Sequence, residues 1–335
     1  MATCYTYLEG AQPLACLNAD QLEQFERDGY LVARGLLDFD EDLQPVVDEY
    51  SALLDELASD LFERGELTST YADLPFGERL TKVYANTGQE TAQHLDISLP
   101  QQGVRADTPF WAGPAVFHML RNRKLLDAAE LFIGPEIYST PVQHVRIKPP
   151  EHLMSDIQTN DLVRATPWHQ DGGVVLPEAD ATEMLTVWLP LTASGIEHGC
   201  IKLIPGSHRD HLLEHCLLPT SGYEIPTKFF AEEETIPVPM QAGDVLFMSR
   251  WTCHGSLSNT SDQIRWSFDL RYSPVGQPTG RTEFPGFVAR SRSHPESELH
   301  DPDVWHTRWR ETRDRLALRD DPTYNRWTES NPACA

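Results

Sequence analysis

His169 and Asp171, in the run Trp168-His169-Gln170-Asp171-Gly172-Gly173, are the residues of this 335-residue chain whose types and spacing point most directly to chemistry. On an extended strand, side chains two apart project from one face, so an imidazole and a carboxylate stand side by side. Such a pair suits a borderline divalent metal. A third ligand is available in His254, far along the chain in Arg250-Trp251-Thr252-Cys253-His254-Gly255-Ser256. Two imidazoles and one carboxylate on one side of a metal leave its other positions open, the arrangement of non-haem Fe(II) oxygenases. Cys253 is a poor ligand candidate, because on a strand it points away from the face that His254 presents. Taken alone, the His169–Asp171 pair also fits an ordinary hydrogen-bonded couple in a loop or core.

The stretch Ile264-Arg265-Trp266-Ser267-Phe268-Asp269-Leu270-Arg271-Tyr272 gives the pair a context. Its alternation predicts a strand with Trp266, Phe268, Leu270 and Tyr272 on one face and Arg265, Ser267, Asp269 and Arg271 on the other. The apolar face is expected to pack under helices. The polar face then lines the interior of a barrel, where a guanidinium requires an anion. Arginine offers a carboxylate a planar bidentate fork. A metal beside an inward Arg265 therefore suits a dicarboxylate cosubstrate, chelating the metal at one end and meeting Arg265 at the other. Arg271 faces the same way, and either binds a carboxylate or phosphonate of a substrate or pairs with Asp269.

The elements that position these residues can be read in outline. Asn18 and Gln21 form a capping box opening a helix that Gly29 closes, followed by a strand over Tyr30–Leu37. Phe39–Phe62 is a long helical pattern, and Leu120–Leu131 another, ended at Gly134. Thr68–Pro114 reads as irregular and aromatic-rich, either a lid-like insertion or a surface excursion. From Glu136 onward short strands dominate: Ile137–Ile147, Met184–Leu191, Cys200–Ile204, Pro237–Pro239, Val245–Met248 and Ile264–Tyr272. Their spacing, with Gly, Pro and Asn between, predicts a mainly β fold, a jelly roll or double-stranded β-helix, with flanking N-terminal and C-terminal helices. The expected layout is one domain: a helical lobe over 17–62, the insertion over 68–114, a catalytic core over 136–275 and an extension over 276–335. That extension includes Phe284–Arg290 as a second lid candidate. Asp301 caps and Pro302 starts a helix to about Arg319, with Trp305, Trp309 and Leu316 as a core-facing stripe.

A net charge of -24 and a pI near 4.8 argue against nucleic acid or an anionic membrane as partner. They favour a small-molecule substrate. The six cysteines have no CxxC pair and no regular framework, so reduced thiols in a cytoplasmic protein are expected. Residues Met1–Gly10 carry no signal-peptide pattern, and no stretch approaches the length of a membrane span.

The chain resembles the phytanoyl-CoA dioxygenase family of Fe(II)/2-oxoglutarate oxygenases, which includes ectoine hydroxylases. The opening NADQLEQFERDGYLVARGLL, then RIKPP, WHQD, HGCIKLIPGSH, GDVLFMSRWTCHGS and the Arg265 strand carry the resemblance, over about Leu17–Tyr272. It implies His169, Asp171 and His254 as ligands of Fe(II), and Arg265 with Ser256 at the distal carboxylate of 2-oxoglutarate. It also implies Trp188 and Gln170 beside the cosubstrate pocket. His144 stands where relatives carry Gln or Met, which departs from the pattern. His198 and His208 belong to turns, and Glu232-Glu233-Glu234 to a solvated loop. The implied reaction consumes O2, releases succinate and CO2 and hydroxylates an unactivated C–H; Asp171 argues against halogenation. Desaturation, epoxidation or demethylation would use the same residues. Two other classes fit less well: a cupin-type metalloenzyme that does not use 2-oxoglutarate, and a silent relative that binds a metabolite without turnover.

Overall fold

Helix α1 (Ala19–Asp28) starts where the capping box is satisfied in both directions, with Asn18 bonding the Gln21 amide and the Gln21 side chain returning to the Asn18 amide. It ends at Gly29, whose left-handed φ of 76° a β-carbon would strain. The computed structural model describes residues 17–87, 89–154, 164–218, 222–319, 324–328 and 332–334. Cys4, Cys16 and the Met1–Gly10 segment lie outside these.

Strand β1 (Tyr30–Ala33) follows, shorter than the run to Leu37, and a π-helical turn at Phe39–Leu43 leads into α2 (Gln44–Glu63). The segment Thr68–Pro114 is more regular than its composition suggests. It contains α3 (Phe76–Thr87) and α4 (Gln89–His94), and Leu80, Val83 and Tyr84 of α3 are buried. The expected irregular insertion is therefore corrected: these aromatics and aliphatics sit in the main core. Phe76 stacks on Trp266 at 4.9 Å between ring centroids. Helices α5 (Pro114–Leu120) and α6 (Arg123–Ile133) complete the N-terminal half, α6 ending at Gly134.

The strands that follow are β2 (Glu136–Ser139), β3 (His144–Lys148), β4 (Leu185–Pro190), β5 (Ile201–Leu203), β6 (Cys216–Leu218) and β7 (Gly222–Glu224). Then come β8 (Ile236–Val238), β9 (Val245–Ser249), β10 (His254–Ser256), β11 (Arg265–Pro274), β12 (Phe287–Ser291) and helix α7 (Pro302–Leu316). All pairings are antiparallel. The larger sheet runs β1-β9-β4-β11-β2-β12, with β3 also on β11; a second sheet runs β10-β5-β8, and β6 and β7 form a hairpin. The Phe284–Arg290 lid expectation is also corrected. Most of that segment is β12, an edge strand paired with β2.

Strand β11 divides its residues as its alternation requires. Trp266, Phe268, Leu270 and Tyr272 enter one buried cluster that also holds Tyr50 of α2, Leu125 of α6 and Trp305 and Trp309 of α7. Removing that much aromatic surface from water is the main force holding helices to sheet. The opposite face carries Arg265, Ser267, Asp269 and Arg271, all buried. One cysteine expectation fails. Cys216 and Cys334 form a disulfide that ties the end of the chain to β6, while Cys200 and Cys253 are free and buried. No helix among the described residues is long and apolar enough to cross a membrane.

Candidate metal centre

A short antiparallel bridge joins His169 to His254: each backbone N–H donates to the other's carbonyl, at 2.8 and 2.9 Å. The two rings lie 4.2 Å apart between centroids. Asp171 follows in a 3-10 turn, Asp171–Gly173, with Oδ1 3.7 Å from His169 Nε2. One ligand atom from each of the three side chains lies within 4.8 Å of the others. Two glycines permit this turn. A β-carbon on Gly172 would run into the Trp251 ring, and one on Gly173 into the His215 ring.

The tautomers are set by the backbone. His169 Nδ1 lies 2.9 Å from the Pro167 carbonyl, and His254 Nδ1 lies 2.9 Å from that of Thr252. A carbonyl can only accept, so both Nδ1 atoms carry hydrogen and both Nε2 lone pairs are free for a metal. Burial, reinforced by His254, pushes the His169 pKa down to about 3, which keeps the ring neutral. Burial alone would raise the Asp171 carboxyl, but Arg271 and the two imidazoles outweigh it and hold the group ionised. Two imidazoles and a carboxylate, converging on one point, fit Fe(II).

Arg271 is engaged within the fold. Its Nη2 donates to Asp171 Oδ1 and lies 3.3 Å from Asp269 Oδ2, while Nη1 donates to the Val142 carbonyl at 3.0 Å. Thr186 Oγ1 donates to the other Asp171 oxygen. Of the two alternatives for Arg271, pairing with Asp269 is the one observed, with Asp171 as a second buried carboxylate, and the substrate alternative is corrected.

Arg265 is different. It is 1% exposed, donates Nη1 to the Gly199 carbonyl at 2.9 Å and leaves Nε without a partner. The guanidinium sits 5.5 Å over the Trp188 ring. Burial and the nearby Arg146 push its pKa down to about 9. A small cavity touches Arg265, Trp188, Arg146, His169 and His254, so it links the metal triad to this guanidinium. Ser256 Oγ accepts the Thr166 amide at 2.8 Å and lies 3.4 Å from Lys148 Nζ. Lys148 pairs across the strands with Arg265. Arg146 and Lys148 were legible in RIKPP as an i, i+2 pair, yet only the β3–β11 register shows which face they share.

Gln170 is corrected. Its side-chain amide donates to the His211 and Trp251 carbonyls at 2.7 and 2.6 Å and accepts the Leu213 amide at 2.7 Å. It ties loops together and presents nothing to the metal. His144 hydrogen-bonds Asp96 at 2.7 Å and lines a second, larger cavity of about 490 Å³ rather than the small one. His198, His208 and Cys253 lie outside the triad. The larger cavity is walled by His144, Gly173, His215, Arg281, Phe284 and Trp327 among others. Trp327 donates Nε1 to the Gly173 carbonyl at 2.8 Å and stacks on His215 at 4.7 Å. Neither Arg281 nor the 324–328 segment was singled out from sequence; both lie beyond the last recognisable motif.

With this geometry established, comparison with known proteins gives a consistent result. The phytanoyl-CoA dioxygenase (PhyH) family model matches residues 25–267. The chain is 34% identical over 125 residues to a 1-deoxypentalenic acid 11-beta-hydroxylase of Streptomyces arenae, covering 34% of this chain and 43% of that relative. It is 23% identical over 301 residues to phytanoyl-CoA dioxygenase domain-containing protein 1 of Bos taurus, covering 81% and 99%. Among solved structures, a non-heme monooxygenase (ThoJ, apo) aligns over 88% of this chain and 97% of that one, with a TM-score of 0.50 and 18% identity, a likeness of fold. The chain belongs to the phytanoyl-CoA dioxygenase family and is an iron- and 2-oxoglutarate-dependent dioxygenase.

Proposed function

We propose that this enzyme hydroxylates an unactivated C–H of a small-molecule metabolite while converting 2-oxoglutarate to succinate and CO2, in a single domain whose core is a double-stranded β-helix. The observation that carries the reading is Arg265, a buried guanidinium with an orphaned Nε in a cavity shared with the triad. A buried cation without a carboxylate is costly, and a dicarboxylate bound to the metal supplies one.

His169, Asp171 and His254 would hold Fe(II), which would supply the oxidising chemistry with 2-oxoglutarate and O2 as co-reactants. The chain's own work is orientation. The Pro167 and Thr252 carbonyls fix both imidazoles, and Arg271 with Thr186 fixes the carboxylate. Arg265, assisted by Ser256 and Lys148, would orient the distal carboxylate of the cosubstrate, with Trp188 flanking it. The larger cavity would take the substrate, and its volume of about 490 Å³ falls in the usual range for ligand pockets.

Affinity for 2-oxoglutarate compared with 2-oxovalerate, which lacks the distal carboxylate, tests this. The wild type should prefer 2-oxoglutarate by at least tenfold, and Arg265→Gln should abolish that preference. Equal binding of the two acids to the wild type would remove the cosubstrate reading.

A further inference from the structure

Four arginines among the described residues are buried: Arg79, Arg265, Arg271 and Arg281. Arg79 pairs with Asp55, and Arg271 with Asp171 and Asp269. Arg265 and Arg281 have no carboxylate partner among the described residues. The first faces the small cavity, where the cosubstrate's distal acid answers it. The second lines the larger one.

Arg281 is 3% exposed. Its Nη1 donates to the Tyr324 carbonyl at 2.6 Å and, weakly, to Gly280 at 3.4 Å; its Nη2 donates to the Val174 carbonyl at 2.5 Å. The Tyr324 ring lies 5.5 Å away. These neutral contacts aim the side chain, and none among the described residues balances its charge. Burial and the like charge of Arg271 push its pKa down to about 10, so it stays cationic at neutral pH. Among the described residues Asp96 is the acid in the cavity wall, and its oxygens are committed to His144 and to the Ile97 and Val145 amides. A guanidinium has five N–H donors, so Arg281 keeps donors to spare for a ligand.

We propose that the substrate is a monocarboxylate whose acid group seats on Arg281, making Arg281 a specificity-determining residue. One guanidinium with no carboxylate partner among the described residues matches one negative charge, and its planar fork matches a carboxylate. A dianionic phosphate monoester would leave a charge unanswered. Arg281 bonds Val174, directly after the Asp171–Gly173 turn, so the seat for the acid is tied to the backbone that carries the acidic ligand.

This inference rests on the assignment of the larger cavity to substrate. Its test is anaerobic calorimetry on Fe(II)-loaded enzyme with 2-oxoglutarate saturating, so that added acids do not report from Arg265. The probes are benzoate, cyclohexanecarboxylate and decanoate, each against its primary amide. At least one acid should bind the wild type tenfold or more tightly than its amide, and Arg281→Gln should erase the difference. Absence of any acid preference in the wild type, or its survival in Arg281→Gln, overturns the proposal. If Arg281→Gln does not fold, Arg281→Lys decides: acid affinity at least threefold lower with amide affinity unchanged supports it, and unchanged acid affinity overturns it. The iron–2-oxoglutarate absorption band, recorded in the same samples, reports separately on the cosubstrate reading. Its absence with acid preference intact would sink that reading alone.

Discussion

Arg271 donates to the carboxylate of Asp171, the acidic member of the metal triad, so the ligand is held by a buried cation before any metal is considered. Asp269 and Thr186 complete the arrangement, and every polar group in it lies on β11, β4 or the Asp171–Gly173 turn. Arg271→Ala would leave two buried carboxylates facing each other. Removing one partner of a buried ion pair costs about 3–5 kcal/mol, and losing an outer-shell partner lowers metal affinity about 10–100-fold. Urea melts of apo-protein and Fe(II) titration should both register the change. Unaltered metal affinity would contradict the orienting role.

Gln170→Leu separates a scaffold role from a cofactor role. Three backbone groups lose their partner, at about 1–3 kcal/mol for each one left unsatisfied. The variant should melt earlier while binding 2-oxoglutarate as the wild type does. Weaker 2-oxoglutarate binding at unchanged stability would restore Gln170 to the cofactor site.

His215 gives a pH prediction. It is buried, and its pKa is pushed down to about 4, mainly by desolvation. The unfolded chain binds a proton near pH 6.5, so this site's stability is fully present above that value and is lost as pH falls toward 4. Between pH 7.5 and 5 the loss should be about 2 kcal/mol relative to His215→Gln. Denaturant melts of both proteins at the two pH values measure it. Parallel pH dependence would rule out a neutral His215.

The Cys216–Cys334 disulfide holds the end of the chain next to His215, on which Trp327 stacks. Closing a loop of this length stabilises by about 2–5 kcal/mol, so Cys334→Ser should lower stability by that amount. It should also raise hydrogen exchange over residues 324–328. In non-reducing peptide maps Cys216 and Cys334 should resist alkylation until a reductant is added. Ready alkylation without one would contradict the bond.

The metal triad and the Arg265 strand were legible because their chemistry repeats with strand periodicity, and β11 then buries one face and turns the other inward. The pairing of Arg271 with Asp269 was one of two readings its strand face offered, but its hold on Asp171 and the role of Gln170 were not legible. Alternation says which face a residue occupies, but only register and loop packing say whether Asp171 or a ligand answers Arg271. Gln170, between the two ligands, falls on the opposite face of an extended segment, yet only loop packing shows that three backbone groups claim its amide. The helices within Thr68–Pro114 were hidden by polar and aromatic residues whose partners, such as Trp266 for Phe76, lie far along the chain. The cysteine pair was hidden for the same reason, since nothing local links β6 to the last residues.

The central claim is a metal centre built from His169, Asp171 and His254 that serves a cosubstrate held by Arg265. The most direct measurement is the visible charge-transfer band formed when Fe(II) and then 2-oxoglutarate are added to apo-protein without oxygen. The account predicts a band in wild type, lost in His169→Ala and weakened in Arg265→Ala. Bound iron with no band in the wild type, or a band that His169→Ala leaves intact, would contradict it.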